Sequence, residues 1–536
     1  MDEFDYIVVG GGSAGCIVAA RLAQESEASV LLLELGDRGE DNPETLIVDG
    51  YKDAFINDRV MWPKFTTAQP GCFGKSLYVG SGRGLGGSGA INAMVYLRSS
   101  VSDFDDWQVP SWRWSEIVGE YEALERVLDP HRREPTDFTE ACIAAAEHAG
   151  FRRAEDLNDG DLDNVLGYEW MNYRGDERRS SYVAFLRPAL ERPNLRVETG
   201  AQTRRVVFDG DRRVTGVEYM QGRMVRQARA RREVILCAGA VETAKLLLLS
   251  GVGPAAQLRS HGISVVLDQP QVGRNFQDHP NVTLFYHGDR ELDARYPQLY
   301  GFARANSRSD LRPGQPDTCY VFYPARSSLR EMMIRMLPTM VLPAALRERS
   351  PLPEQGIRRA VSLAFESQRL RQLVARLYGM VVILGKPKSR GSVELGGPKV
   401  SDPAKIDPAY FSDREDLEAM VEGVQLARRI TGAPALREWG ARELLPGRWA
   451  ATPRLIEGFV RANAMTTFHF AGTCSMGTDD GAVVDERLRV RGVAGLRVAD
   501  ASVIPAVPVS ALNGPSMLIG HRAASFLLAD AQSGSK

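Results

Sequence analysis

The feature that most constrains this chain is its first segment, FDYIVVGGGSAGCIVAARLAQESEASVLLLELG, from Phe4 to Gly36. Tyr6 to Val9 is a short apolar, β-branched run, the pattern of a strand buried on both faces. Gly10, Gly12 and Gly15 follow with G-x-G-x-x-G spacing, and Ala19, Ala20, Leu22 and Ala23 continue as a helix. Val30 to Leu33 reads as a second buried strand, closed by Glu34. Gly10 permits a tight turn, Gly12 lets backbone approach a pyrophosphate, and Gly15 lets helix and strand pack closely. The pyrophosphate then meets the unpaired N–H groups and positive dipole end of the helix. Glu34, about twenty residues past the glycines, is placed to accept the hydroxyls of an adenosine ribose. Strand, turn, helix, second strand and acid in register predict an ADP-containing dinucleotide, leaving NAD and FAD open.

Bulk properties exclude several classes. The 536 residues carry a net charge of −2, which argues against nucleic acid as a partner. No apolar run approaches the roughly 20 residues that a membrane helix requires. The N-terminus, MDEFDY, is acidic and leads straight into a core strand, so no signal peptide is expected. Cys16, Cys72, Cys142, Cys237, Cys319 and Cys474 are scattered without a C-x-x-C pair, as in a cytoplasmic protein with reduced thiols. No metal-ligand spacing is present, and Gly86-Gly87-Ser88-Gly89 lacks the spacing of a serine-hydrolase elbow.

Along the chain, a polar loop is expected to about residue 60, followed by Trp62-Pro63. Ser81 to Arg98 is dense in glycine (Gly82, Gly84, Gly86, Gly87, Gly89), which signals backbone close to a ligand or a hinge. Trp107 to Leu128 reads as amphipathic helix, with Trp114, Ile117, Tyr121 and Leu124 on one face, and Thr139 to Ala149 as a second helix. Residues 152 to 185 lack strong periodicity. Leu195–Glu198, Arg205–Phe208 and Val214–Met220 suggest meander strands, leading to a buried strand from Glu233 and a helix from Thr243 to Leu249. Alternation at Gly301–Ser307, Thr318–Tyr323, Met380–Gly385 and Ser392–Leu395 predicts an antiparallel sheet. Between these strands, residues 325–378 hold ten Arg, no Lys and four Glu among short amphipathic helices. That insert is either a solvated lid pair, an apolar substrate entrance, or a docking face for an acidic partner, a carrier protein or a membrane surface. The expected division is a discontinuous Rossmann-like α/β domain (1–155, 190–285, 465–536). An inserted α+β domain on the antiparallel sheet (156–189, 286–464) completes it.

Taken together, these motifs resemble the glucose–methanol–choline family of FAD-dependent alcohol oxidases and dehydrogenases, essentially end to end. The residues that carry the resemblance are the N-terminal stretch, GRGLGGSGAINAMVY from Gly82, GAVETAKLLLLSGVG from Gly239, VGRNFQDH from Val272 and PKSRGSVEL from Pro387. HFAGTCSMG from His469 and LRVADASVIP…NGPSMLIG from Leu496 complete it. The resemblance decides for FAD. It implies Ser13, Ala14 and Gly15 at the pyrophosphate, Glu34 and Leu35 at the ribose, and Trp62, Thr203 and Ala238 near the adenosine. Gly82, Leu85, Gly87, Asn92, Ala93, Met94 and Val95 would line the pyrophosphate, ribityl chain and ring. Asp500 and Ala501 would meet the ribityl end, and Gly514 and Pro515 the ring edge. The chain departs from the pattern at Ala244, Ser99 and His521. Ile91 precedes Asn92 where covalently flavinylated relatives carry His, which implies noncovalent FAD.

Alcohol oxidation needs a base, because alcohol pKa values lie far above 7, and an imidazole suits that task at neutral pH. His469 matches the family's base and Asn513 its partner, which would orient the substrate oxygen toward flavin N5. His279, in QDHP, is expected to have a structural or domain-joining role. The resemblance thus implies oxidation of a small-molecule primary alcohol to an aldehyde, with electrons passed to O2 or another acceptor. A redox-neutral lyase acting on hydroxynitriles and a flavin photoenzyme acting on a fatty acid are the alternatives. The chain's length and Asn513 point to aryl or small primary alcohols, whereas the insert points to a longer, apolar or carrier-bound one.

Overall fold

A computed structural model describes residues 2–342 and 350–533. Two sheets organise it. In the first, β1 (Asp2–Val9) and β2 (Val30–Leu33) run parallel, joined by α1 (Ser13–Glu25). Tyr6 to Val9 and Val30 to Leu33 are buried, which is why both runs are apolar throughout rather than alternating. One segment departs from the expected meander: Leu195–Glu198 pairs parallel with β2 at the sheet edge. The antiparallel ribbon is instead Ala201–Phe208, Val214–Gln221 and the first half of the long strand Met224–Leu236. That strand changes partner along its length. Its alternating residues face the ribbon, and its apolar end, Val234 to Leu236, lies between β1 and the late strand Leu496–Val498. The C-terminal return therefore completes the first sheet.

The second sheet runs in the order Arg442–Leu445, Pro280–His287, Leu377–Leu384, Thr318–Pro324, Leu299–Ala303, Val165–Tyr168 and Arg152–Ala154. Its pairs are antiparallel except the last. Ser392–Glu394, expected in this sheet, pairs with Lys405–Asp407 in a separate ribbon. Asp137–His148 buries Phe138, Cys142 and Ile143 in the second sheet's core, and Arg152–Ala154 pairs with its edge. The all-apolar turn Tyr182–Leu186 packs into the first core beside α1.

The region after Glu34 is more regular than its polar composition suggests, with a helix at Tyr51–Ile56. The Arg-rich insert forms helices Leu329–Val341, Leu352–Ala364 and Gln368–Val374, and residues 343–349 lie outside the described residues. Buried Arg335 donates to the Phe55 carbonyl at 2.9 Å and pairs with Asp58. Asp58 also takes Arg358, which holds Glu354. Two insert helices are thus tied to the end of Tyr51–Ile56. Among the described residues no helix is long and apolar enough to cross a membrane.

Candidate functional site

A cavity of about 610 Å³ is lined by residues of both sheets. At the first sheet the chain leaves β1 through Gly10, whose φ is +101°. A Cβ at Gly10 would lie 2.5 Å from the Cys237 carbonyl oxygen, and one at Gly15 would lie 1.9 Å from the Gly10 oxygen. Only glycine permits this packing. Helix α1 starts at Ser13 without a side-chain cap, so its first-turn N–H groups are left for a ligand at the wall formed by Gly10, Gly12, Ser13 and Ala14. The Glu34 carboxylate accepts the N–H groups of Gly11 (2.8 Å), Gly36 (2.8 Å) and Gly84 (2.9 Å). It therefore stitches the end of β2 to the first turn and to the glycine-rich segment, and with Leu35 it lines the cavity.

The glycine-rich segment is a packed wall and not a hinge. A Cβ at Gly87, φ +53°, would lie 2.7 Å from Gly12 Cα. Gly82, Gly87, Asn92, Ala93 and Val95 line the cavity, as do Trp62, Thr203, Ala238, Asp500 and Ala501. The Thr203 hydroxyl is buried without a protein partner, as a ligand contact would require. Lys64, which the sequence did not signal, lies 3.9 Å over the Trp62 ring and lines the same wall. Asp500 is not free to bind by its side chain alone. Its carboxyl accepts the N–H groups of Gly239 (2.9 Å) and Ser502 (2.8 Å) and the Thr243 hydroxyl (2.6 Å). Gly15, Leu85, Met94, Gly514 and Pro515 are buried but lie behind the wall rather than on it. They belong to the motifs because they pack the wall: Met94, at φ +68°, donates its N–H to Asn92 Oδ1 at 3.0 Å. Buried Arg178 holds Asn92 Oδ1 (2.8 Å) and the Gly89 carbonyl (3.2 Å) from the same side.

His469 and Asn513 line this one cavity. His469 follows Phe468, held at φ +63°, and its backbone N–H donates to Asp278 at 2.8 Å. Asp278 also accepts the Thr466 hydroxyl (2.5 Å) and the Tyr410 hydroxyl, and burial pushes its carboxyl up to about 6. His469 Nδ1 lies 2.9 Å from His279 Nδ1, with the rings edge to face. Burial lowers His469 to about 4, and burial together with the His469 charge holds His279 well below the usual range. Both imidazoles are therefore neutral at pH 7, and one Nδ1 must donate to the other. His279 Nε2 is buried without a hydrogen-bond partner, while the Gly385 and Pro508 backbone carbonyls favour a proton on that ring. With the His279 proton on Nε2, its Nδ1 accepts from His469 Nδ1–H, and His469 Nε2 is left as the free base.

Asn513 begins the helix Asn513–Ser533, and its Oδ1 accepts the Ser13 hydroxyl at 3.0 Å. That contact fixes the amide so that Nδ2 remains as donor; among the described residues its one hydrogen-bond partner is Met517 sulfur at 4.0 Å. The far wall is the second sheet, through Tyr300, Val321, Val381 and Ile383, with Phe468 and Phe470 beside it. The insert contributes to the wall: Ser328 and Met332 line the cavity together with Tyr51, Lys52 and Phe55. No group of three His, Cys, Asp or Glu among the described residues could hold a metal ion.

Family models described as GMC oxidoreductase match residues 4–281 and 387–520. A choline oxidase of Arthrobacter globiformis is 33% identical, covering 98% of this chain and 94% of that protein. An alcohol dehydrogenase [acceptor] of Pseudomonas putida is 32% identical over 98% of this chain and 96% of that protein. Among solved structures, the pyridoxine 4-oxidase from Mesorbium loti superposes with a TM-score of 0.83 at 28% identity, covering 97% of this chain and 98% of that one.

Proposed function

The chain is a GMC oxidoreductase, an FAD-dependent enzyme acting on CH–OH groups, and from that premise we propose that it oxidises a primary aryl or apolar alcohol to the aldehyde. FAD, when bound, supplies the acceptor for the two electrons that leave with the α-hydrogen. The uncapped α1 terminus, the glycine wall and the orphan Thr203 hydroxyl fit its ADP half. Ile91 stands where an attachment histidine would be needed, so the cofactor is held noncovalently and leaves the chain on denaturation.

The observation that carries the reading is the placing of a neutral His469 and a fixed Asn513 amide on one cavity. His469 Nε2 takes the hydroxyl proton, and Asn513 Nδ2 donates to the same oxygen, so the α-carbon is held in one orientation. The apolar residues of the sheet face lower the local dielectric, which strengthens both contacts. The electrons pass on to O2 or to another acceptor.

The test is anaerobic mixing of the holoenzyme with an alcohol panel while following the flavin's visible absorbance. Bleaching by aryl or apolar alcohols is expected, and readmitted air then separates oxidase from dehydrogenase. A flavin unbleached by every alcohol, but with hydroxynitrile cleavage in the dark or fatty-acid turnover in light, would overturn the reading. His279 gives a second expectation. His279→Ala removes the acceptor that fixes the His469 tautomer, so flavin reduction should slow by roughly 10- to 100-fold with KM changed less than about threefold. His279→Asn, whose amide oxygen can accept the same N–H, should recover part of that rate; stopped-flow reduction measures both.

A further inference from the structure

Five lysine and arginine residues are buried among the described residues: Arg178, Lys245, Arg335, Arg497 and Arg522. Four of them sit beside a carboxylate, Lys245 by Glu242, Arg335 by Asp58, Arg497 by Glu233 and Arg522 by Glu120. Arg178, at 0% exposure, has none in ion-pair reach among the described residues. Its guanidinium donates instead to neutral oxygens, the Asn92 carbonyl (2.6 Å), Asn92 Oδ1 (2.8 Å) and the Gly89 carbonyl (3.2 Å), and its Nε has no partner. Asp49, the carboxylate whose charge reaches it, is already paired with Arg133 at 2.9 Å. Burial lowers Arg178 to about 9, so it keeps its charge at pH 7. A buried cation without a counter-ion is costly, and nothing else in the fold offsets this one.

The oxygens that Arg178 holds belong to the reactive end of the cavity wall. Gly89 and Asn92 both line the cavity, and a Cβ at Gly89 would lie 3.0 Å from Asn513 Oδ1 and 2.6 Å from the Ser13 hydroxyl oxygen. Tyr51, which also faces Arg178, begins the helix Tyr51–Ile56. One turn on, Phe55 packs edge-on against Phe468, the neighbour of His469, with centroids 6.3 Å apart. Arg178 therefore stands one residue behind the wall that carries Asn513. The other cations on the cavity are placed differently. Lys64 and Lys245 flank Glu242 near Trp62, at the adenosine end, while Lys52 and Arg83 are partly exposed, where water screens them.

A negative charge has to appear at that end. Hydride transfer carries the α-hydrogen and two electrons onto the cofactor ring, which gains one negative charge, and leaves the hydroxyl proton with His469. Burial disfavours a charged His469, so that proton passes on and the imidazole is no lasting counter-ion. We propose that Arg178 supplies the fixed positive charge that stabilises the bound flavin in its reduced, anionic form and so raises its reduction potential. The inference rests on FAD binding and on no particular alcohol. Attraction between charges in low-dielectric surroundings stays appreciable across the thickness of one residue, so no direct contact is needed. The charge of Arg178, not its shape, is then the property that matters.

The test reads the holoenzyme without turnover, by sulfite titration and by the midpoint potential against reference dyes. Sulfite adds to flavin N5 and leaves the ring negatively charged, so its affinity follows the same stabilisation. Arg178→Gln keeps an amide donor but no charge. It should bind sulfite at least about tenfold more weakly, and its potential should fall by about 30 mV, the two-electron equivalent of tenfold. Arg178→Lys, which keeps a charge with different donor geometry, should stay within about threefold of wild type at pH 6. The same burial makes a lysine ammonium lose its proton below the pH at which the guanidinium does. Sulfite affinity of the lysine variant relative to wild type should therefore fall towards tenfold weaker by pH 8.5. That comparison decides alone if the glutamine variant does not retain FAD. A glutamine variant with wild-type potential, or a lysine variant either weakened already at pH 6 or unchanged at pH 8.5, would overturn the proposal. So would weaker FAD retention at an unchanged potential, which would assign the charge to the pyrophosphate.

Discussion

Replacing His469 by alanine should slow alcohol-driven flavin reduction by about a thousandfold while the holoenzyme still forms. A positioned base contributes typically 10²–10⁴-fold, and His469 is the imidazole on the cavity with a free nitrogen. Its contacts run to His279 and, through its backbone, to Asp278, not to the glycine wall, so cofactor retention should survive. The pH dependence sharpens the test. A base works only when unprotonated, and burial lowers His469 to about 4. The wild-type rate should therefore be level from neutral pH down to about pH 5 and fall as pH drops through about 4. An imidazole with the ordinary value of about 6.5 would already lose rate below pH 7. In His469→Ala the acid limb should vanish and the residual rate should climb with pH as hydroxide replaces the missing base. Stopped-flow reduction across pH, with wild type and variant side by side, decides it. A variant that keeps wild-type speed, or a wild-type limb that breaks near 6.5, would remove His469 from the base role.

Local signals carried the cofactor half of this site. β1, its glycine turn, α1 and Glu34 are contiguous, and the glycines answer a backbone demand that can be read without knowing the fold. Glu34 reads as a ribose acceptor, whereas its three backbone N–H partners were not legible. Partners brought together by distant pairing could not be read that way. Asp278 and His279 lie 191 and 190 positions from His469. They meet it only because Pro280 and Asn281 pair with Thr466 and Met465. Within QDHP, a histidine that joins domains and one that sets another histidine's tautomer look the same. Arg178 sits in the stretch that lacked periodicity, and its seat behind the wall follows from its bond to Asn92, 86 positions earlier. Leu195–Glu198 was legible as a strand but not as a parallel neighbour of β2, since alternation carries no partner information. The insert's amphipathic helices were visible in its Met and Leu spacing. Its seat on the cavity was not, because it depends on Asp58, one residue of a segment whose composition reads as loop.

The second large effect separates two glycines that sequence motifs treat alike. Gly12→Ala should leave the apoprotein as stable as wild type to within about 0.5 kcal/mol, yet weaken FAD binding by about a hundredfold. A Cβ at Gly12 meets nothing in the protein closer than the Cys237 oxygen at 3.8 Å, an ordinary contact, and Gly12 has φ −79°, which alanine adopts freely. The added methyl group projects at the mouth of α1, where a pyrophosphate has to approach backbone, so only the loaded state is penalised. A hundredfold corresponds to about 2.7 kcal/mol, within the cost of forcing an extra methyl group into a closed contact. Gly15→Ala behaves differently: its Cβ would lie 1.9 Å from the Gly10 oxygen and 3.0 Å from Cys237 Cβ, so α1 must move off β1. Apoprotein stability and FAD affinity should then fall together. Gly119→Ala is the control, in the helix Trp114–Leu128 with nothing within 4 Å of its Cβ. It should stabilise the protein by about 0.5–1 kcal/mol through helix propensity alone and leave FAD untouched. Flavin-to-protein ratio after gel filtration, FAD titration of the stripped protein and thermal unfolding of the apo forms read all three. If Gly12→Ala holds FAD as tightly as wild type, the α1 terminus is not the pyrophosphate site.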